Sequence, residues 1–135
     1  MRDIVCVTAY CEHLMKVERE LMRGAGPAAV LKLLESGPMY GYELVEALQS
    51  RTSGVLAMGQ STLYPLLYNL EAQGLVKAEW REGDSGRQRK YYALTAEGQK
   101  RLADDTRQWQ AVARAMAGLG ILPQAAGRIE LGGVQ

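Results

Sequence analysis

The sequence SGRQRKYYALT occupies residues 85–95 and follows the turn-forming run GDSG at residues 83–86. It carries three cations, Arg87, Arg89 and Lys90, and no acidic residue. Glycine, aspartate and serine ahead of an aromatic, extended run predict a turn followed by a β-strand, the second arm of a hairpin. Three clustered cations on one short arm predict a surface that binds a polyanion, although a solvated charged hairpin is the alternative.

A helix is predicted just before this hairpin, in the sequence QSTLYPLLYNLEAQGLV at residues 60–76. Leu63, Leu67 and Leu70 recur at helical spacing, and Leu66 widens their stripe. Gly74 stands where a left-handed residue usually ends a helix. We expect Ser61 to cap the start and Pro65 to lie within about the first turn, because proline lacks an N–H donor.

The face opposite the leucines carries small polar and aromatic side chains. A major groove about 12 Å wide admits one helix that presents such side chains to the base edges. A surface helix of an unrelated bundle is the alternative, but the order of helix and basic hairpin favours a winged helix-turn-helix. The candidate DNA-reading residues of this helix are Ser61, Thr62, Tyr64, Tyr68 and Asn69.

Two further helices are predicted upstream. Pro27 suits the first turn of a helix whose apolar residues lie at 30–34 and which ends before Gly37 and Pro38. Residues 40–50 form a short amphipathic helix, and residues 51–60 form the connector to the next helix. A separate charged helical stretch is indicated at residues 16–23.

The first arm of the hairpin shows the alternation of a half-buried strand. Val76, Ala78 and Trp80 alternate with charged residues, which predicts that these three face the core. Residues 89–94 are its predicted partner strand. Tyr91 and Tyr92 should point to opposite faces, and the sequence leaves open which of them packs on the core.

A last helix is predicted at residues 96–119, capped by Thr95 and ended by the glycines and proline that follow. Its apolar and small residues recur in alternating steps of four and three, which predicts a seam for a second helix and hence a homodimer. Trp109 is expected to pack in this seam. The alternative role for Trp109 is effector binding, because the indoles of two subunits near a dimer axis could stack on a planar aromatic compound. The predicted interface is Leu102, Thr106, Trp109, Ala113 and Met116.

The 135 residues therefore predict one mainly α domain with a small β-hairpin (α+β), a winged helix-turn-helix with a long C-terminal dimerisation helix. We divide it into an N-terminal extension at 1–15, expected to be poorly ordered, a DNA-binding domain at 16–95, the helix at 96–119 and a flexible tail at 120–135. The formal net charge is only +1, so attraction to nucleic acid must come from clustering of charge.

Several function classes are disfavoured. The lone histidine, His13, and the lack of a phosphate-binding loop or nucleophile motif predict that the protein is not an enzyme and has no catalytic residue or cofactor. Cys6 and Cys11 with His13 are a weak metal-ligand pattern, read as free thiols with no metal. With no apolar run near ~20 residues, we expect no membrane association and a reducing, cytoplasmic location.

Three sequence blocks resemble the PadR family of bacterial transcriptional regulators. They are GPMYGYEL at 37–44, STLYPLL at 61–67 with LE and GLV shortly after, and GRQRKYYALTAEG at 86–98. The resemblance covers residues 20–119 and implies a short-tailed, homodimeric repressor that binds a two-fold-related operator on double-stranded DNA. The positions it carries over as DNA contacts are Tyr40, Ser61, Thr62, Tyr64, Arg87, Arg89 and Lys90.

Some PadR-like proteins of this type bind planar aromatic or cationic drugs between their subunits through a tryptophan on the last helix, and Trp109 occupies the matching place. We therefore expect a repressor that a small-molecule effector releases from its operator. Two alternatives remain open from the sequence. One is a winged-helix module that docks a partner protein, and the other is a small-molecule-binding dimer without a DNA function.

Overall fold

The computed structural model describes residues 17–124, so the expectations for Cys6, Cys11, His13, the N-terminal extension and most of the tail lie outside the described residues. The fold is mainly α with a small antiparallel sheet, as predicted. Its elements are α1 (Arg19–Leu34), β1 (Met39–Tyr40), α2 (Gly41–Arg51), α3 (Gln60–Ala72), β2 (Val76–Glu82), β3 (Gln88–Leu94) and α4 (Ala96–Leu119). The chain divides into two compact units, of which the first ends at Leu102 and the second begins at Ala103.

The core of the first unit is built from the leucine stripes of the first three helices. Each fully buried leucine stabilises the fold by about 1.5–3 kcal/mol relative to an exposed one, so these stripes set how the helices pack. The stripe predicted for α3 is confirmed. The buried apolar residues are Val30, Leu31, Leu33, Leu34, Leu44, Leu48, Met58, Leu63, Leu67, Leu70, Leu75, Val76, Tyr92 and Leu102.

Helix α1 differs from the prediction, because Pro27 is its ninth residue and does not open it. The charged stretch before the proline and the apolar stretch after it form one continuous helix. A proline in this position removes one backbone hydrogen bond. Burial of the apolar face offsets the loss, and Gly26 lies so close to α3 that an added Cβ would sit 3.2 Å from Leu66 Cδ1.

The sheet has the strand order β1-β3-β2 and is antiparallel throughout. Strand β1 was not predicted, and it pairs Met39 with Tyr92 and Tyr40 with Tyr91. The predicted burial of Trp80 was wrong, since Val76 is buried but Trp80 is 64% exposed. The outer half of the hairpin extends past the core. A residue there can lie on the inner face of β2, as Trp80 does, and still have no other helix or strand to pack against.

Helix α3 ends as predicted and begins differently. Gly74 has φ +77°, which glycine adopts without steric cost, and its N–H donates to Glu71 O at 2.9 Å. The expected cap, Ser61, is wrong, because Gly59 precedes the helix and Ser61 is its second residue. Pro65 is the sixth residue and therefore lies in the second turn, not the first.

Thr95 caps α4 as predicted. Its Oγ1 accepts the N–H of Gly98 at 2.9 Å and donates to the carbonyl oxygen of Gly74 at 2.7 Å. The one hydroxyl thus satisfies a free donor at the start of α4 and ties that start to the end of α3. Within residues 17–124 no helix has the length and apolar character to cross a bilayer.

In the second unit, α4 carries an exposed apolar side on an otherwise polar helix. Asp104 accepts hydrogen bonds from Arg107 and Gln108, which are one turn further along. The helix ends at Leu119, where the Gly120 N–H donates to Ala117 O and the Ile121 N–H donates to Met116 O. Its exposed large apolar residues are Trp109, Val112, Met116 and Leu119.

Candidate nucleic-acid interface

The β2–β3 hairpin forms a wing whose tip is a tight turn. The Gly83 N–H donates to Arg87 O at 2.7 Å, and the Gly86 N–H donates to Gly83 O at 3.0 Å. Gly86 has φ +81°, so this turn requires a residue that accepts a left-handed backbone. Arg87 follows directly and is exposed at the tip, where its guanidinium can reach a surface beyond the protein.

Two cations of the wing stack on tyrosine rings. The Arg89 guanidinium lies 4.4 Å from the centroid of the Tyr40 ring, and that of Arg81 lies 5.1 Å from the centroid of Tyr91. The two rings meet edge to face at 5.3 Å, because β1 places Tyr40 beside Tyr91. Stacking engages the flat face of a guanidinium and leaves its N–H edges for an anion. The edge of Arg81 donates to Glu79 at 2.8 Å, whereas Arg89 has no carboxylate partner among the described residues.

The structure settles the orientation of the tyrosine pair. Tyr92 is the one on the core, while Tyr91 is half-buried beside Tyr40. Burial raises the pKa of the Tyr92 phenol, and Lys90 opposes that shift because its ammonium lies 5.6 Å from the ring centroid. Lys90 is thereby held at the inner side of the wing, facing Trp80 across the two strands.

All five predicted reading residues of α3 are exposed, on the side away from Leu63, Leu67 and Leu70. They divide between two concave surfaces. Tyr64 and Tyr68 lie toward the wing. Thr62 and Asn69 line a groove of about 350 Å³ on the other flank. Ser61 is exposed near the start of the helix.

Tyr64 owes its position to a glycine. An added Cβ on Gly41 would lie 2.6 Å from Tyr64 Cε1, so the tyrosine ring rests directly on the first residue of α2. The Glu43 carboxylate accepts the N–H of Tyr40 at 3.1 Å and so holds the backbone at this point. The same short segment thus carries Tyr40 toward the wing and supports Tyr64 on α3.

A cleft of about 500 Å³ lies between α3, the start of α2 and the wing. We call it the aromatic cleft. Arg89 and Lys90 are its charged residues, and no carboxylate is among the described residues that line it. Tyr42 and Trp80 were not predicted as site residues, although the register of Trp80 opposite Lys90 was a usable signal. The aromatic side chains that line the cleft are Tyr40, Tyr42, Tyr64, Tyr68, Trp80 and Tyr92.

The groove beside Thr62 and Asn69 has an apolar floor and a basic rim. The rim includes Arg19 and Arg23 of α1 and Arg101 of α4. Sequence reasoning missed these cations, because they come next to α3 only when the helices pack. The exposed face of α3 is therefore flanked by positive charge on both sides.

The predicted dimer residues fall into two groups. Leu102 is buried in the core of the first unit. The other four are on α4 in the second unit, where Trp109 is 44% exposed. The seam that remains at the surface is Thr106, Trp109, Ala113 and Met116.

An exposed helix that follows another across a short connector, with a basic hairpin at its side, defines a winged helix-turn-helix protein. Comparison with known families agrees, since the sequence pattern of the "Transcriptional regulator PadR-like family" matches residues 30–104. The chain belongs to this family of transcriptional regulators, which confirms the resemblance noted in the sequence.

Individual relatives are consistent with this assignment. The chain is 36% identical over 100 residues to "Transcriptional regulator Rv3488" of Mycobacterium tuberculosis. The matched region covers 74% of this chain and 90% of the relative. A PadR family transcriptional regulator structure from Eggerthella lenta has a TM-score of 0.64 at 36% identity, covering 87% of this chain and 93% of that chain. A Streptococcus transcriptional regulator structure has a TM-score of 0.69 at 31% identity, covering 76% and 99% respectively.

Proposed function

We propose that the protein is a DNA-binding repressor that occupies a two-fold-related operator as a homodimer. The observation that carries the proposal is the placement of Arg89 and Lys90 beside the exposed face of α3, in a surface whose described lining has no carboxylate. In an arrangement of this kind the cations contact the DNA phosphate backbone, and the helix lies in the major groove of the DNA. The DNA-binding domain is then residues 16–95, and residues 96–119 serve dimerisation.

The wing supplies contacts that do not depend on sequence. Arg87 at the tip and Arg89 and Lys90 on β3 meet phosphates, or enter a minor groove, and release counterions as they do so. Tyr40, whose ring lies under the Arg89 guanidinium, carries a hydroxyl that is a further donor to the DNA backbone. These contacts fix the position of the protein on the duplex.

Helix α3 supplies the contacts that depend on sequence. Asn69 has the donor and acceptor pair that recognises adenine in the major groove, and Thr62 and Ser61 hydrogen-bond to either kind of base edge. Tyr64 and Tyr68 line the aromatic cleft on the wing side of the same helix. In this proposal α3 selects the DNA sequence, and the wing adds affinity for any duplex.

Dimerisation follows from the exposed seam of α4. Trp109 and Met116 are large apolar residues on a helix surface, and their burial against a second copy removes them from water. A two-fold dimer carries two α3 helices, which fit half-sites about 34 Å apart, one helical turn of DNA. A monomer has half of the phosphate contacts and binds poorly.

The test is a set of four single substitutions measured against operator and random DNA over a range of salt concentrations. Arg87→Ala and Arg89→Ala should weaken binding to every sequence and reduce the salt slope by about one. Thr62→Ala and Asn69→Ala should change sequence preference, by about 1–3 kcal/mol at the affected base pair. Arg107→Gln, which removes an arginine paired with Asp104, is the control. Equal effects of all four on both DNAs would contradict the division of roles.

A second role, binding of a planar aromatic effector, is favoured by the exposed indole of Trp109 on the seam. Two such indoles near a dimer axis can sandwich a flat ring. The effector then acts by changing the spacing of the two α3 helices. Quenching of Trp109 with a linked fall in DNA affinity supports a regulated repressor, whereas quenching without that fall indicates a small-molecule-binding dimer.

A further inference from the structure

We propose that the aromatic cleft is a nucleotide subsite, which holds one nucleotide unit with its phosphate at Arg89 or Lys90 and its base against the exposed rings. The inference rests on the proposed function in one respect, because the cleft opens on the surface proposed to face DNA. It goes further by assigning a ligand class to a site distinct from the Trp109 seam. It also implies that a free nucleotide can compete with DNA directly.

The shape of the cleft fits a ligand of this size. Its volume of about 500 Å³ falls within the range of small-molecule sites, roughly 300–1,000 Å³. Three elements form its walls, namely the start of α2, helix α3 and the wing. Strand β1 pairs with β3 only at Tyr91 and Tyr92, so one edge of β3 at residues 88–90 is covered by no described strand.

The aromatic walls have free surface for stacking. Tyr68 is 73% exposed and Trp80 is 64% exposed, although both line the cleft. Large aromatic side chains held this openly on one surface are suited to cover the face of a planar ring. Tyr64 is held more firmly, because its ring rests on Gly41. The cleft therefore has one positioned ring and two that can adjust to a base.

The charge of the cleft selects an anion. Arg89 and Lys90 have no carboxylate partner among the described residues, whereas Arg81 is paired with Glu79 at 2.8 Å on the neighbouring strand. Tyr40 occupies the face of the Arg89 guanidinium, so the N–H edges are what Arg89 presents to a ligand. Either group, the guanidinium edge of Arg89 or the ammonium of Lys90, matches the oxygens of a phosphate group.

A nucleotide combines both requirements, the planar ring and the phosphate. A nucleoside has only the ring, and inorganic phosphate has only the charge. The nucleotide can come from two sources, a free mononucleotide or an unpaired nucleotide in a DNA strand. In a paired duplex the base is stacked on its neighbours, so a duplex offers the cleft only sugar and phosphate.

The experiment uses the two tryptophans of the chain, Trp80 and Trp109. In the full chain carrying Trp109→Phe, fluorescence reports on Trp80 alone and hence on the aromatic cleft. The probes are adenosine 5′-monophosphate, adenosine, inorganic phosphate and a short single-stranded oligonucleotide. We expect saturable quenching by the monophosphate, with adenosine and phosphate at least tenfold weaker. Arg89→Gln or Lys90→Gln should weaken it at least fivefold, and Arg107→Gln should leave it unchanged.

Each outcome decides a part of the proposal. Quenching by the monophosphate, with a matching rise in the apparent Kd for duplex DNA, supports a site for free nucleotides. Quenching by the oligonucleotide alone, lost in Arg89→Gln, supports a nucleotide of the strand as the occupant. If neither quenches saturably while duplex DNA still binds, the subsite is overturned and the repressor function stands. If the monophosphate binds but no duplex does, the subsite stands and the repressor function fails.

Discussion

The guanidinium of Arg89 lies over the ring of Tyr40, 4.4 Å from its centroid. This contact joins the wing to the residue that immediately precedes α2, where the Glu43 carboxylate accepts the Tyr40 N–H. A long side chain on an otherwise extended hairpin is thereby restrained before any ligand arrives. Restraint of this kind lowers the entropy lost on binding, so the stack prepares Arg89 for an anion.

Arg89→Lys separates this stacking from the charge. The lysine keeps the positive charge but cannot stack as a planar fork, so DNA affinity should fall by about fivefold, the equivalent of a cation–π contact of about 1 kcal/mol. The slope of log K against log salt should stay unchanged, whereas Arg89→Ala should lower it by about one. Fluorescence anisotropy with labelled duplex at several salt concentrations measures both. If Arg89→Ala kept the wild-type slope as Arg89→Lys does, Arg89 would make no phosphate contact.

Gly41→Ala tests the support of Tyr64. The new Cβ would lie 2.6 Å from Tyr64 Cε1, and the ring must swing outward to make room. Because Tyr64 is already 43% exposed, the free energy of unfolding should change by no more than about 1 kcal/mol, but DNA affinity should fall.

A double-mutant cycle with Tyr64→Leu provides the control for this prediction. If the alanine acts only by displacing the tyrosine, the two effects on DNA binding are not additive. Fully additive losses would mean that Gly41 itself approaches the DNA, and that Tyr64 has an independent role.

The helical core was predictable from the sequence because its signal is local. Leu63, Leu67 and Leu70 repeat at the period of a helix, and burial of that stripe is what stabilises α3. Two features were not predictable for physical reasons. The two residues of β1 become a strand only through pairing with Tyr91 and Tyr92, which are about fifty positions away. Pro27 marks a helix start by local preference, but packing of α1 across it overrides that preference.

Part of the candidate site was predicted from the sequence, and Trp80 was missed for a physical reason. Tyr40, Tyr64, Tyr68, Arg89 and Lys90 were all chosen from the sequence, and the structure brings them around one cleft. Trp80 was missed, because alternation along a strand predicts which face a residue lies on and not how far the core extends beneath it. Side chains beyond the edge of the core are the ones left exposed for binding.

Gly98→Ala should destabilise the fold strongly. A Cβ at this position would clash with the carbonyl oxygen of Leu75 and lie 2.9 Å from Leu94 Cδ1. The contact with the backbone cannot be relieved by a rotamer change, so we expect a loss of about 3 kcal/mol in the free energy of unfolding. Gly24→Ala in α1 is the matched control, because nothing lies within 4 Å of its added Cβ.

That control should raise stability by about 0.5–1 kcal/mol, the helix preference of alanine over glycine. Urea unfolding followed by circular dichroism measures both variants. A loss at Gly98 no larger than 1 kcal/mol would show that α4 can shift away from the Leu75 carbonyl, and that the Thr95 cap does not fix the start of the helix.

Tyr92 should make stability depend on pH in the alkaline range. Burial is the main cause that raises the pKa of its phenol, so the folded protein holds this proton more tightly than the unfolded chain, whose tyrosine pKa is about 10. The contribution to stability is therefore complete below about pH 10 and is lost as the pH rises through the raised folded pKa. Tyr92→Phe cannot ionise and should lack this component. Between pH 8 and pH 11 the urea midpoint of the wild type should fall relative to that of Tyr92→Phe, and parallel curves would show that the phenol ionises equally well in both states.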